Sequence, residues 1–448
     1  MRRVCVGAGL AALLLAAGAG ESYGQTNFSV PSMPMIPDAP HGAGPPKKYM
    51  EHFPEQPSVQ PAYSIPVSPL GFSIPGTSYL LRQQQLVSLD FLDEDRLLFS
   101  FHVASGLRER NAETDQEAAQ RIHAVVVDVA TGKAGAEADW AMPDRRRYLW
   151  MLNDGHFLLR TADGLEEGDA ELKTKAYMHW PGRLMWIQMD PLQKYLTANS
   201  VEPGSEEKAE EAAKTQGEKP LESAKPAEKK DVLTIRTVKR DTGEVVKTTQ
   251  APWTAQTSDF PMNSEGYFMN MRDSGAVWVI RYQAFDDSKG WNVVDTKSVC
   301  VPKSAFVTET ELLVSRCDPQ DGWKLAALNT TSKKNEWEAH IGSNTMWPLL
   351  TAARNGSRAA RETLVLRRSA EKYTTGVKIE DVQGQMVRVY DTATGKVAME
   401  APIKPVYDGG GNVAVSPSGE RVAILNGDAI QVYELAAPMV TAGARKTE

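Results

Sequence analysis

Histidines and carboxylates are the side chains in this sequence that could support metal binding or acid–base chemistry. His102 and His123 flank a polar stretch, residues 104–121, at the ends of two predicted strands that should pair, so the imidazoles could approach each other. A zinc site needs a third or fourth ligand, and no suitable spacing is visible. We therefore interpret these histidines, together with His156 and His179, as hydrogen-bonded residues at strand ends and predict no metal site.

Paired carboxylates could perform general acid–base work of the kind that cleaves glycosidic bonds. The candidates are Asp93, Asp95, Glu166, Glu167, Asp286 and Asp287. Most lie in turn-like contexts, where acidic residues are common for conformational reasons. The sequence has no P-loop, no His-Glu-x-x-His, no Cys-x-x-Cys and no Gly-x-Ser-x-Gly. It therefore predicts no catalytic residues and no cofactor, and it does not identify binding residues.

Cys300 and Cys317 are the cysteines that remain once an N-terminal segment containing Cys5 is removed. Folding residues 304–314 as a hairpin places Cys317 nearly opposite Pro302, with Cys300 one strand step beyond. A disulfide between them is geometrically plausible, and it is the form expected in an oxidising compartment. The alternative is two unpaired cysteines buried in strands.

The N-terminus has the pattern of an export signal. Arg2 and Arg3 precede an uncharged stretch rich in Ala and Leu, and Ser22 and Gly24 supply small residues at the −3 and −1 positions of a cleavage site. A membrane anchor is the weaker reading because the apolar stretch is at the short limit for a spanning helix. We predict a signal peptide over residues 1–24, a secreted or periplasmic protein, and no stable membrane insertion after cleavage.

The composition is that of a globular protein with a mild negative charge. Hydrophobic residues make up 42% of the chain, charged residues 24%, and the formal net charge is −7. This balance argues against a dedicated nucleic-acid binder, which would usually present a basic face.

Residues 25–71 are rich in Pro and predict an extended or disordered leader. Residues 202–231 are dominated by Glu, Lys and Ala and predict a disordered insertion within a blade.

A short polar or Gly-containing turn that leads into an apolar run recurs seven times along the chain. The turns are Asp93–Asp95, Asn153–Gly155, Asp190–Leu192, Asn263–Gly266, Thr308–Thr310, Asn355–Ser357 and Ser416–Gly419. The shorter intervals between them match the four-stranded blades of a β-propeller, and the longer ones fit loop insertions. Each turn is expected to join the first and second strands of a blade.

A second recurring element has Asp at its start and Gly near its end. It occurs at Asp128–Lys133, Asp241–Glu244 and Asp391–Lys396, with a degenerate copy at Asn329–Lys333, and it suits a tight hairpin between third and fourth strands. At these residues the chain resembles the YVTN-type and WD-repeat-like propellers of bacterial exported proteins. The resemblance covers residues 85–435 and implies the architecture alone. None of the ten Trp residues is followed by Asp, so no peptide-binding residues are carried over.

These patterns predict an all-β fold, a single seven-bladed β-propeller over residues 72–435, with six or eight blades as alternatives and a flexible tail over residues 436–448. Because a ring of blades must join its two ends, we expect a strand from Phe72–Arg82 to pair with Ala429–Leu435 and complete the last blade. Deleting residues through Arg82 should then destabilise the domain, whereas deleting Gln25–Glu55 should not.

Three long insertions, residues 104–121, 202–231 and 367–385, are all expected between second and third strands. They would emerge on the same rim as the loops between blades, which makes that rim the candidate binding face; the alternative is that insertions drift into tolerant loops.

The sequence favours an exported, monomeric, non-enzymatic binding or scaffold protein that recognises an unknown protein or an envelope or polysaccharide ligand. The alternative is a propeller enzyme, a lactonase, lyase or glycosidase, with its active site at a channel mouth. A cluster of His, Arg and acidic residues at one mouth of the channel would favour the enzyme.

Overall fold

The structure is a computed structural model, and it describes residues 49–74, 76, 85–103, 120–144, 146–162, 164–180, 183–201, 232–252, 260–272, 278–286, 290–292, 298–318, 322–373 and 376–438. Within these ranges the protein is built from β-strands joined by turns. Its helical segments there are single 3-10 turns, at Ser68–Leu70, Ala370–Lys372 and Ile379–Asp381. In these ranges no helix has the length and apolar character needed to cross a membrane.

The strands are short and follow one another in sequence. In chain order they are β1 (Tyr63–Pro66), β2 (Val87–Phe91), β3 (Arg96–His102), β4 (Gln120–Asp128), β5 (Ala134–Met142), β6 (Leu149–Met151), β7 (Phe157–Arg160), β8 (Gly164–Gly168), β9 (Thr174–His179), β10 (Arg183–Met189), β11 (Tyr195–Val201), β12 (Val232–Lys239), β13 (Val245–Pro252) and β14 (Gly266–Arg272). They continue as β15 (Trp278–Ala284), β16 (Trp291–Asn292), β17 (Lys303–Phe306), β18 (Glu311–Asp318), β19 (Gly322–Asn329), β20 (Lys334–Ile341), β21 (Thr345–Ala352), β22 (Arg358–Leu366), β23 (Val382–Asp391), β24 (Val397–Ile403), β25 (Val413–Val415), β26 (Arg421–Asn426) and β27 (Ala429–Glu434).

Consecutive strands pair antiparallel into propeller sheets, which we number along the chain. Sheet 1 is β2–β5, sheet 2 is β6–β9, sheet 3 is β10–β13, sheet 4 is β14–β16, sheet 5 is β17–β20, sheet 6 is β21–β24, and sheet 7 is β25–β27 with β1. Neighbouring sheets pack through apolar clusters, and aromatic pairs such as Tyr195–Phe285 and Phe268–Phe306 join sheet 4 to sheets 3 and 5. The predicted all-β propeller architecture is confirmed.

The predicted number of blades is wrong. Six sheets have the four strands of a complete blade, whereas sheet 4 has three in the part of the chain that the structure describes. The reason is local: the segment that would supply the innermost strand of sheet 4 makes a single bridge, between Met262 and Tyr267. Its turn, Asn263–Gly266, is present nonetheless, so counting turns in the sequence overestimates the number of complete blades. The arrangement is six-bladed, the alternative that the sequence left open.

The Asp-to-Gly element forms the predicted hairpin between third and fourth strands. Asp128 accepts hydrogen bonds at Oδ1 from the Thr131 amide (2.8 Å) and hydroxyl (2.6 Å), and Gly132 adopts a φ of +66°. In the degenerate copy, Asn329 accepts from the Thr331 and Ser332 amides, and Lys333 takes the left-handed position at φ +59°. The side-chain acceptor therefore shapes the turn even where Gly is missing.

An N-terminal strand closes the ring, as predicted, but it lies upstream of the predicted segment. β1 pairs antiparallel with β27 from Tyr63↔Val432 to Pro66↔Ala429, and it is the fourth strand of sheet 7. Within the predicted segment, Phe72 forms no strand and instead packs edge-on against Phe99 and Phe101, with ring centroids 5.4 and 5.2 Å apart. Residues 77–84 lie outside the described part of the chain.

The residues before β1 are also bound to the propeller, and we call residues 49–66 the strap. Glu51 is 4% exposed: its backbone amide donates to Asn344 Oδ1 (2.6 Å), and its carboxylate accepts from Arg388 (2.8 Å) and from the Gly342 amide (3.3 Å).

Phe53 packs in a cluster with Val365 and Met386. Ser58 then donates its amide to the Glu400 carbonyl, 2.8 Å away. The strap is the described part of the stretch that we interpreted as a leader, and it runs along sheet 6 before it completes sheet 7. Residues 25–48 of that stretch lie outside the described residues.

The predicted disulfide between Cys300 and Cys317 is present, with a Cα–Cα distance of 5.4 Å. Cys317 lies in β18 of sheet 5, and Cys300 follows Ser298, which bridges to Trp278 of sheet 4. The bond thus ties the incomplete sheet 4 to its neighbour.

Replacing Glu51 with Gln should lower the free energy of unfolding by about 2 kcal/mol, because Arg388 loses one of its two carboxylate partners in a buried position. Glu55→Gln, four residues on and exposed, is the matched control and should melt like the wild type. Urea denaturation measures both. Deletion of residues through Glu55 should destabilise the domain as well, contrary to the sequence-based expectation. A Glu51→Gln protein as stable as Glu55→Gln would refute the anchoring role of the strap.

Reducing the disulfide should lower the free energy of unfolding by about 3 kcal/mol, since the cross-link closes a short loop with a sequence separation of 17. Urea denaturation with and without reductant, with thiol alkylation to verify reduction, makes the measurement. The Cys300→Ala, Cys317→Ala double variant serves as the control and should show no effect of reductant. Equal stability of the oxidised and reduced forms would contradict the account.

Candidate functional site

The turns between first and second strands meet at one end of the propeller, which we call the turn face. They are joined across sheets: Glu94 accepts hydrogen bonds from the Ser418 amide (2.6 Å) and hydroxyl (3.0 Å), and the Asn153 amide donates to Gln193 Oε1 (2.7 Å). Asn355 Nδ2 donates to the Ser418 carbonyl, 2.7 Å away. The repeated turns are therefore positioned by one another as well as by their own strands.

A depression of about 450 Å³ opens on the turn face. Turns of sheets 1 and 2 form most of it, and turn residues of sheets 6 and 7 complete its wall. Its ionisable residues are the acids Asp93, Glu94, Asp154, Asp169 and Glu171, the cations Arg96 and Arg354, and His156. Carboxylates outnumber guanidinium groups, so the depression carries a negative potential that favours cations.

Both guanidinium groups already have partners. Arg96 pairs with Asp93 at 2.7 Å, and hydrogen bonds from Arg96 help to hold the pKa of Asp93 below its ordinary value although burial opposes the shift. Arg354 reaches across the ring and donates to the carbonyl oxygens of Phe91 and Leu92 in sheet 1. It fastens sheet 6 to sheet 1 and neutralises no carboxylate of the depression through a direct contact.

Two acids of the depression shape their own turns. Asp169 Oδ1 accepts the amides of Glu171 and Lys173, each at 3.0 Å, and Asp154 Oδ1 accepts the amide of His156 at 3.1 Å. Glu171 projects its side chain from the exposed turn that Asp169 shapes. The charges thus sit on turns with defined conformations.

His156 contacts two carboxylates at the edge of the depression. Its Nδ1 lies 3.0 Å from Glu167 Oε1 and 3.9 Å from Asp154 Oδ2. Glu167 belongs to β8, where its other oxygen is 3.3 Å from Lys175 Nζ. Glu166 and Glu167 therefore occupy a strand, and they are exceptions among the candidate acids, most of which we placed in turn-like contexts.

The other two histidines singled out in sheet 1 do not come together. His102 pairs with Ile122 in the ladder and His123 with Phe101, so the two imidazoles leave opposite faces of the sheet. His123 Nδ1 lies 3.0 Å from Asp139 Oδ1, and His102 packs edge-on against Tyr148. His179 is exposed on β9.

The depression does not lie on the rim that the insertions mark. Residues 104–121, 202–231 and 367–385 do follow second strands, β3, β11 and β22, as predicted. Residues 104–119 and all of 202–231 lie outside the described residues. The turns that form the depression are at the opposite end of the strands.

Glu167 is a functional candidate for which sequence reasoning found no role. The signal was present: a hairpin that pairs Leu158 with Glu167 puts Glu167 on the same sheet face as His156, two residues before Leu158. The contributions of Arg354 and Pro417 could not be found this way, because they depend on how sheets 6 and 7 meet sheet 1.

A second carboxylate pair crosses the turn face from sheet 3 to sheet 5. Asp190 and Glu309 both accept the Leu192 amide, at 3.1 and 3.3 Å, and Glu309 also accepts the Ser264 amide at 2.8 Å. Burial raises the pKa of Asp190, and the Glu309 carboxylate raises it further against the lowering effect of the Tyr195 amide. Through these amide contacts Glu309 joins sheets 3, 4 and 5.

Comparison with known proteins identifies no family, and the structural similarities that it finds are distant. No family model matches the chain, and no curated protein matches it by sequence. Among solved structures, it is similar to acylaminoacyl peptidase of Pyrococcus horikoshii, with 11% identity and a TM-score of 0.46 over 79% of this chain and 52% of that one. It is also similar to the WD40 domain of Neurospora crassa Pan2, with 9% identity and a TM-score of 0.45 over 88% and 98% of the chains.

A third similar structure is the β-propeller domain of the Trilobed protease of Pyrococcus furiosus, with 10% identity and a TM-score of 0.44 over 80% and 99% of the chains. The chain spans about half the length of the acylaminoacyl peptidase that it matches. The class of protein that the fold and site define is therefore a β-propeller with an acidic depression on its turn face.

Replacing Glu309 with Gln should make stability less sensitive to pH. The folded-state pKa of Asp190 is raised, so its contribution is fully present below its unfolded pKa and is lost as pH rises through the folded value. A Gln amide can donate to the Asp190 carboxylate and removes the Glu309 charge, so it should reduce that loss, while the effect of burial remains. The free energy of unfolding of the variant relative to wild type should rise by about 1 kcal/mol between pH 5 and pH 8.

Glu265→Gln, an exposed acid in the next turn, is the control for this measurement. Burial also raises the pKa of Glu311 to about 7 and of Glu362 to about 8. The pH dependence of the free energy of unfolding that these two groups cause is the same in variant and wild type, so it cancels in the difference. A difference that stays constant from pH 5 to pH 8 would show that Glu309 does not raise the pKa of Asp190.

Proposed function

We propose that this protein is an exported, monomeric, non-enzymatic binding module, and that its turn face binds a positively charged segment of a partner polypeptide. The observation that carries the proposal is the excess of carboxylates in the depression, on turns fixed by the scaffold. A Lys- or Arg-rich segment is complementary to this potential, and it would gain both association rate and specificity from it. We also propose that the protein is related to the YVTN-type exported propellers.

The arrangement of the side chains supports binding over catalysis. Asp93, Glu94 and Asp169 each accept backbone or guanidinium hydrogen bonds that shape the turn face. These hydrogen bonds hold the carboxylates in place, which suits recognition of a cation. Hydrolysis of an ester or glycoside would in addition require an acid whose pKa is raised towards neutrality and exposed to substrate.

A second candidate function is a propeller enzyme with its active site in the same depression. The observation in its favour is that His156, Arg354 and several acids share the depression, the combination that we expected to distinguish an enzyme. A hydrolase substrate panel tests it, and turnover that His156→Gln abolishes would replace the binding proposal.

Titration of a fluorescently labelled nine-residue Arg-Ser-rich peptide, followed by anisotropy at low ionic strength with a chelator present, tests the binding proposal. Wild-type protein should bind this peptide and should not bind a Glu-Ser-rich peptide of the same length. Glu171→Lys should weaken binding about tenfold by reversing one charge in the depression. Glu137→Lys, the same change at an exposed site on the outer strand β5, should alter it less than twofold.

Salt should weaken the interaction, since exposed charges are screened. Absence of binding to the basic peptide at low salt, or an equal loss for Glu171→Lys and Glu137→Lys, would contradict the proposed function.

A further inference from the structure

Asp154, His156 and Glu167 bring three metal-ligand side chains together at the edge of the depression. One ligand atom from each, two carboxylate oxygens and an imidazole nitrogen, lies within 4.8 Å of the other two. In a zinc site with bond lengths near 2.1 Å, neighbouring ligand atoms are about 3.4 Å apart. The His156–Glu167 and His156–Asp154 distances of 3.0 and 3.9 Å bracket that value. We propose that these residues form a binding site for a divalent transition-metal ion such as Zn²⁺ or Mn²⁺.

The fold positions two of the three ligands through backbone pairing. The His156 carbonyl accepts the Leu152 amide (2.8 Å), and Glu167 is paired with Leu158 in the β7–β8 ladder. The two side chains are therefore diagonal neighbours on one face of sheet 2. Asp154, in the turn before His156, has a half-exposed side chain, and its Oδ2 lies 3.9 Å from His156 Nδ1.

The donor set selects the class of metal. An imidazole nitrogen with two carboxylates suits Zn²⁺, Mn²⁺ and similar ions, whereas Ca²⁺ requires six to eight oxygen ligands. Three protein ligands leave coordination positions for water or a bound group, and two of the ligands, Asp154 and His156, line the depression. The remaining carboxylates of the depression, Asp93, Glu94, Asp169 and Glu171, add to the attraction of a cation to this place.

One cation, Lys175, already contacts the site through one oxygen of Glu167. Lys175 Nζ is 3.3 Å from Glu167 Oε2, but its side chain is 73% exposed and the pair is free to separate into solvent at little cost. The oxygen nearest His156 is the other one, Oε1. A metal bound to Oε1 and to His156 Nδ1 can therefore coexist with Lys175.

His123 provides a matched comparison within the same protein. Its Nδ1 is 3.0 Å from Asp139 Oδ1, the same separation as between His156 and Glu167. The second contact of Asp139 is Arg121, 2.6 Å away, a cation in place of a further ligand. This pair should bind a divalent metal far more weakly than the three-ligand site.

Calorimetric titration of the full mature chain with Zn²⁺, and absorption spectra with Co²⁺ as a probe of coordination by nitrogen and oxygen, test the proposal. Wild-type protein should bind one equivalent. His156→Gln and Glu167→Gln should each weaken binding at least tenfold, whereas His123→Gln should change it less than twofold. Thermal melts without metal establish that each variant is folded.

Equal affinity of wild type, His156→Gln and Glu167→Gln, or a loss in His123→Gln as large as in His156→Gln, would overturn the site. So would the absence of binding at millimolar Zn²⁺. This result is independent of the proposed function, because the peptide titration contains a chelator and uses Glu171, which is not among the three ligands.

Discussion

Pairing of β1 with β27 is the constraint on which the rest of the structure depends. A ring of antiparallel sheets holds its shape only when its last sheet is completed, and here the completing strand comes from the start of the domain. The buried ion pair of Glu51 with Arg388 holds the strap in the position from which β1 reaches sheet 7. Ring closure in turn fixes how sheets 6 and 7 meet sheet 1, and so places Arg354 and Pro417 in the wall of the depression.

The local pattern of the fold could be read from the sequence because it depends on neighbours along the chain. Turn residues and apolar alternation gave the order of strands, both families of hairpins and the disulfide between Cys300 and Cys317. We predicted the closing strand too far along the chain because we took the Pro-rich residues to exclude a strand. β1 is an edge strand ending in Pro66, a place where a missing amide donor is tolerated. The blade count was wrong because a turn signal survives in sheet 4 although its inner strand is reduced to one bridge.

The candidate site was less predictable than the fold. The pairing of His156 with Glu167 was within reach of hairpin register, but the depression combines turns of sheets 1 and 2 with Arg354 and Pro417, which lie hundreds of residues further along the chain. The long insertions had indicated the opposite rim as the binding face. Short turns, which looked like simple connections, carry the charges instead, since the scaffold brings them together around one axis.

Hydrogen–deuterium exchange of the protein with and without the Arg-Ser-rich peptide tests most directly whether the turn face is the binding surface. Peptide addition should slow amide exchange in the turns at residues 92–96, 153–156 and 169–172, which form the depression. Exchange in the loops between blades on the opposite rim should not change. Protection confined to that rim, or no protection at peptide concentrations that saturate binding, would contradict the claim that the turn face is the functional surface.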